Sequence, residues 1–131
     1  MDDPRGRLTK DGIRIYEPVD FAGMHIAGRL AAEILDDVAA LVEPGVTTGV
    51  LDDFIRERVE AAGARSATIG YRGYQHASCI SVNHVVCHGI PDDKPLRDGD
   101  IVSRWSTHSH FTFLIFASSS GFGQWFQFET P

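Results

Sequence analysis

Two apolar stripes with three- and four-residue spacing, separated by Pro44-Gly45, decide most of what this chain can fold into. Met24, Ala27, Ala31, Ile34, Leu35, Val38, Leu41 and Val42 mark one face of a long amphipathic helix. Pro18-Val19-Asp20 opens it, with Asp20 as the expected N-cap, and Pro44-Gly45 ends it. A second stripe, Leu51, Phe54, Ile55, Val59 and Ala62, is capped by Thr47 or Thr48 and stopped by Gly63. Arg56, Glu57, Arg58 and Glu60 read as its solvated face. After the helices come β-branched segments: 79–83 and 85–88 read as a strand or a tight strand pair, and Ile101-Val102 starts another.

The chain has 131 residues, enough for one core and not for two. Its net charge of −6 argues against nucleic acid as a general partner, because phosphate contacts need a basic surface. Residues 1–17 read as a polar, mobile arm with a short strand at 13–16. Met1-Asp2-Asp3-Pro4-Arg5 lacks the apolar core of a secretory signal. No stretch reaches the roughly 18 apolar residues of a membrane helix, so no membrane partner is expected. Cys79 and Cys87 are too close on one run to staple distant segments, which makes a reducing cytoplasm the expected compartment.

The composition changes at residue 103. From Ser103 to Pro131 the only charged residues are Arg104 and Glu129, while six of the eight Phe and both Trp fall there. Phe111-Thr112-Phe113-Leu114-Ile115-Phe116 is uncharged and β-prone, an aggregation hazard on an exposed edge. Residues 118–121 read as a low-complexity linker.

The run from Cys79 to Pro91 carries both cysteines and two histidines, His84 and His88. On a strand, 84, 86 and 88 share one face, and 79, 81, 83, 85 and 87 take the other. A small zinc site of His84, Cys87 and His88 would therefore draw on both faces. The alternative is cysteines serving as small buried hydrophobes and histidines bonded to backbone.

Several short blocks, read in order, narrow the choice. They are Val42-Glu43-Pro44-Gly45-Val46-Thr47-Thr48, Leu51-Asp52, Gly70-Tyr71-Arg72-Gly73-Tyr74, Ser78-Cys79-Ile80-Ser81-Val82-Asn83, Val85-Val86-Cys87-His88-Gly89-Ile90-Pro91 and Leu96-Arg97-Asp98-Gly99-Asp100-Ile101-Val102. Together they resemble type I methionine aminopeptidase over roughly residues 18–102. The resemblance implies an α+β fold, the N-terminal half of a pita-bread domain, with an antiparallel sheet backed by helices and left incomplete. It implies metal-dependent removal of the initiator methionine from nascent polypeptides, with two divalent ions (Co, Mn, Fe or Zn), ribosome association and a cytoplasmic setting. His88 matches the family's catalytic, substrate-binding histidine beside the scissile amide. Tyr71, Tyr74 and Cys79 match positions lining the methionine side-chain pocket, where aromatic faces and a soft sulfur suit a thioether. Thr68 stands where the family usually has cysteine, and Gln75-His76-Ala77 replaces the more usual Pro-Lys-Ser.

The resemblance breaks after Val102. Where the family continues Asn-Ile-Asp-Val-Thr, this chain has Ser103-Arg104-Trp105-Ser106-Thr107. Trp105 stands at the position of a bridging carboxylate, and Phe116, eleven positions on, at that of a second. The family's remaining ligands, one His and two Glu, have no counterparts. His108 and His110 read as exposed bystanders. The expected organisation is an arm (1–17), a partial aminopeptidase domain (18–102) and an aberrant Phe- and Ser-rich tail (103–131), either divergent or frameshifted. The expected consequence is a chain without bound metal and without activity. The alternative is a non-catalytic peptide- or protein-binding module of the same fold.

Overall fold

The computed structural model describes residues 6–108 and 111–118. A small antiparallel hairpin, β1 (Arg7–Leu8) and β2 (Arg14–Ile15), precedes α1 (Pro18–Ala39) and α2 (Thr48–Ala61). A 3-10 turn (Tyr71–Gly73) leads to β3 (Cys79–Val82), β4 (Ile101–His108) and β5 (Phe111–Ser118), which form one antiparallel sheet in that order. The expected strand at 13–16 is thus the second arm of a hairpin. The 118–121 linker lies largely outside the described residues, as does His110.

Helix α1 starts earlier than the sequence suggested. Its N-cap is Glu17, Pro18 is its first residue, and Asp20 sits at N3, where its Oδ2 accepts the Glu17 N–H at 2.8 Å. Proline is pre-set for a first helical turn and has no N–H to leave unpaired there. The helix also stops earlier, at Ala39, and Pro44-Gly45 forms a separate turn: Val46 N–H donates to the Glu43 carbonyl at 3.2 Å, with Gly45 at φ +96°. Leu41 is consequently exposed, while Val42 still packs against the core.

Helix α2 follows its sequence signals closely. Thr47 Oγ1 accepts the Val50 N–H at 3.2 Å, and Gly63, at φ +68°, closes the other end. There Gly63 N–H reaches the Glu60 carbonyl and Ala64 N–H the Val59 carbonyl, a Schellman arrangement that satisfies two terminal acceptors.

The core lies between the helices and one face of the sheet. Ile34 and Val38 of α1 meet Leu51, Ile55 and Val59 of α2, with Ala77, Ile80, Leu96 and Val102 beneath them. Strands β3 and β4 pair Val82 with Val102 and Ser81 with Ser103. Ile80, Val82 and Val102 therefore face the helices, and Cys79, Ser81 and Ser103 take the opposite face, where they too are buried. Strand β4 continues unbroken from Ile101 to His108, across the composition change at 103.

Segment 85–88 is not a strand, contrary to its β-branched composition. Asn83, at φ +55°, turns the chain after Val82. Its Oδ1 accepts the Ile101 N–H at 3.0 Å, its own N–H donates to the Ile101 carbonyl at 2.9 Å, and its Nδ2 donates to Asp100 Oδ1 at 2.8 Å. Asparagine tolerates this left-handed conformation, so the turn overrides the local strand preference. Val86 and Cys87 project outward, and the chain returns beside β3, where the Ile80 N–H donates to the Gly89 carbonyl and the Gly89 N–H to Ser81 Oγ. The two-faced strand that a His84, Cys87 and His88 zinc site would need is therefore not formed. Among the described residues no three His, Cys, Asp or Glu side chains are grouped to hold a metal ion.

The Asn83 turn carries a pH signature. The Asn83 amide, then the Arg97 N–H at 2.8 Å, hold the Asp100 carboxyl below its ordinary value, with the Arg97 charge adding to this. The unfolded chain then binds the proton more readily than the folded one. The Asp100 contribution to stability is complete above its ordinary pKa and is lost as pH falls through the lower folded value. Urea midpoints measured from neutral pH down to about pH 3 should fall less steeply for Asp100→Asn than for the wild type.

Candidate functional site

Asp52 anchors the site. It lies on the buried side of α2 with Thr48, Leu51, Ile55 and Val59, and its side chain is 2% exposed. Oδ1 accepts the Ser78 N–H at 2.8 Å and the Ser78 hydroxyl at 2.6 Å. Oδ2 accepts the Ala77 N–H at 3.2 Å and lies 3.2 Å from His76 Nδ1 and 3.8 Å from Arg56 Nη2. In the sequence Asp52 stands out only within the Leu51-Asp52 block. Its signal was present, however: a carboxylate on an otherwise apolar helical stripe has to find buried donors.

Those donors belong to the segment that enters β3. Tyr74, half-buried, donates its hydroxyl to the Ser78 carbonyl at 2.8 Å, and its ring centroid is 5.5 Å from that of His76. Burial raises the Tyr74 phenol well above its usual range, and a hydrogen bond and charge coupling with Cys79 push it the same way. Tyr74 and the buried thiol of Cys79 are therefore neighbours. Tyr71 sits at the start of the 3-10 turn, 65% exposed, with the Arg72 guanidinium 5.5 Å from its ring centroid. His88, at φ +55°, is exposed on the segment that returns beside β3. The structure thus ties Tyr74 to the Ser78 carbonyl, next to Cys79, ties Tyr71 to Tyr74 through a backbone hydrogen bond of 3.0 Å, and places His88 one residue from the Gly89 contact with β3.

Thr68 uses its hydroxyl on backbone. Its Oγ1 donates to the His76 carbonyl at 2.7 Å and lies 2.8 Å from Ser66 Oγ, which in turn donates to the Ala77 carbonyl at 2.8 Å. A thiol at position 68 would donate more weakly.

The sheet register relates the far positions. Cys79 pairs with Trp105, Trp105 with Leu114, and Ser103 with Phe116. Positions 105 and 116 are therefore diagonal neighbours in the register of β4 and β5.

Residues 22–104 match metallopeptidase family M24. The chain belongs to that family. This M24 chain is 53% identical to the methionine aminopeptidase of Escherichia coli (strain K12) over 93 residues, and 47% identical to that of Rickettsia prowazekii (strain Madrid E) over 91 residues. Each match covers 70% of this chain and 35% of the relative, so the chain spans about a third of the length of these curated relatives. The crystal structure of the Rickettsia prowazekii methionine aminopeptidase superposes with a TM-score of 0.76 at 40% identity, covering 81% of this chain and 44% of that one. The Thermotoga maritima methionine aminopeptidase gives 0.71 at 30% identity, covering 91% and 47%. Aminopeptidase P from Escherichia coli, at 16% identity and a TM-score of 0.64, shares the fold. The M24 chain is therefore a partial α+β pita-bread domain, as the sequence blocks implied, and its family is one of divalent-metal peptidases. No helix among the described residues is long and apolar enough to cross a membrane.

Proposed function

We propose that residues 18–102 form the methionine-gripping part of a methionine aminopeptidase, and that this chain binds N-terminal methionine without hydrolysing the bond behind it. The observation carrying the reading is the junction of the Tyr74 hydroxyl, the Ser78 carbonyl and Cys79, an aromatic face beside a soft sulfur within the family-matched region. Tyr71 extends the wall, and His88 is the group that would steady the scissile amide, since an imidazole near neutral pH can donate to a developing negative charge. The activity proposed for the complete family member is removal of the initiator methionine from nascent chains in the cytoplasm, at the ribosome.

The residues present do not fit the paired divalent ions of the family. The indole of Trp105 and the phenyl ring of Phe116 offer no lone pair to a hard or borderline cation, and they stand where bridging carboxylates are expected. Hydrolysis is therefore not assigned to this chain. Residues 103–131 are read as sequence unrelated to the family, joined by a shift of reading frame. Translating the encoding nucleotides in the other two frames tests this, and failure to recover Asp-Val-Thr and the later ligands would remove the frameshift account.

The functional test pairs an assay with calorimetry on the 131-residue chain. Met-Ala-Ser should bind weakly, about tenfold more tightly than Gly-Ala-Ser, which is the discrimination an apolar pocket gives a longer side chain. It should remain uncleaved with cobalt or manganese added. Metal-dependent release of methionine would overturn the inactivity, and equal binding of the two peptides would overturn the pocket. Micromolar binding without metal and without preference between the two peptides would instead favour the non-catalytic peptide- or protein-binding module.

A further inference from the structure

The segment between Tyr74 and β3 has no regular secondary structure, yet distant side chains take up its backbone polar groups. The carbonyls of His76 and Ala77 accept from Thr68 and Ser66 at 2.7 and 2.8 Å. The N–H groups of Ala77 and Ser78 donate to Asp52 at 3.2 and 2.8 Å, and the Ser78 hydroxyl donates to the same carboxylate at 2.6 Å. The Ser78 carbonyl, held in this way, accepts the Tyr74 hydroxyl at 2.8 Å. A carboxylate 2% exposed is costly to bury unless donors converge on it, and here the donors come from the three residues just before Cys79. The arrangement that satisfies Asp52 is therefore also the one that sets Tyr74 against Cys79. Side chains that line a site hold their geometry only when the groups behind them are fixed.

We propose that Asp52 is a positioning residue that sets the methionine selectivity of the wall formed by Tyr74 and Cys79. The proposal rests on the reading of that wall as a methionine grip, and it adds a residue on α2 that touches no substrate. Asp52 acts through Ser78, so its loss loosens the wall without removing any group from it.

The test uses the 131-residue chain with Asp52→Asn, Ser78→Ala and Val38→Ala, each followed by calorimetry, ultraviolet titration of the tyrosines and urea denaturation. Asp52→Asn keeps the side-chain size but removes the charge and turns an amide N–H toward a donor. It should cut the preference for Met-Ala-Ser over Gly-Ala-Ser by most of its wild-type value, about tenfold. Ser78→Ala deletes only the hydroxyl bond to Asp52 Oδ1, should give a smaller loss in the same direction, and carries the test if Asp52→Asn fails to fold. Val38→Ala, a core truncation on α1, should lower the urea midpoint while leaving the preference intact. Unchanged selectivity in the folded Asp52 or Ser78 variant overturns the proposal, as does an equal loss in Val38→Ala.

The tyrosine titration separates this outcome from failure of the methionine reading. Tyr74, identified by difference from Tyr74→Phe, is faced by Cys79, by His76 and by the Asp52 charge, and it resists ionisation in the wild type. A wild type with no peptide preference sinks the methionine reading alone. The Asp52 role is then decided by Tyr74 in Ser78→Ala, which keeps the Asp52 charge, so that a fall in the Tyr74 pKa there reports loosening of the segment. An unmoved Tyr74 would end it.

Discussion

Gly89→Ala should lower stability by about 3 kcal/mol or more, read as a drop in the urea midpoint. A Cβ at position 89 would press on the Ile80 carbonyl oxygen and lie 2.8 Å from both Ile80 C and Ser81 Cα. These are backbone atoms of a buried strand, Ile80 being 2% and Ser81 1% exposed, so no flexible side-chain end can move aside. The returning segment would have to lift from β3, losing the bond from the Ile80 N–H to the Gly89 carbonyl and the one from the Gly89 N–H to Ser81 Oγ. His88 would move with it. Gly23→Ala, inside α1 with open space around the new methyl, should instead be neutral or stabilising by up to about 1 kcal/mol. A Gly89→Ala protein with the wild-type midpoint would show that this contact is not close in solution.

Leu51→Ala should cost roughly 2–5 kcal/mol, the range for emptying a fully buried leucine site. Leu51 has no exposed surface and sits where α2 meets Ile34 and Val38 of α1 and Ile80 and Val102 of the sheet. Elements from three parts of the chain line the site, so it cannot close by the movement of one side chain, which argues for the upper part of the range. Val50→Ala, one residue earlier and 57% exposed, should change the midpoint little. Equal midpoints for the two variants would mean that α2 does not pack on the sheet through this face.

Both predictions concern packing that joins distant parts of the chain, whereas the helices were readable locally. The stripes of α1 and α2, the Thr47 cap and the Gly63 stop all arise from residues within about one helical turn of each other. The misplaced N-cap of α1 shows the limit of such reading. Asp20 is a good capping residue, but Pro18 can take the first helical position, so Asp20 serves from N3 instead. Segment 85–88 fails for a related reason: its β-branched residues favour a strand, but the Asn83 turn pinned to Asp100 and Ile101 leaves it no neighbour to pair with.

The candidate site divides along the same line. Tyr71, Tyr74, Cys79 and His88 could be named from short blocks of sequence, as could the absent carboxylates at Trp105 and Phe116. Sequence by itself determined the helices, the family and the residues proposed to grip methionine. Only the tertiary structure decided what holds them, because Asp52 meets Ser78 across 26 positions and Gly89 meets Ile80 across a turn. Periodicity and capping are written in neighbouring residues. A buried carboxylate finds its donors only after helix and sheet have come together and excluded water between them.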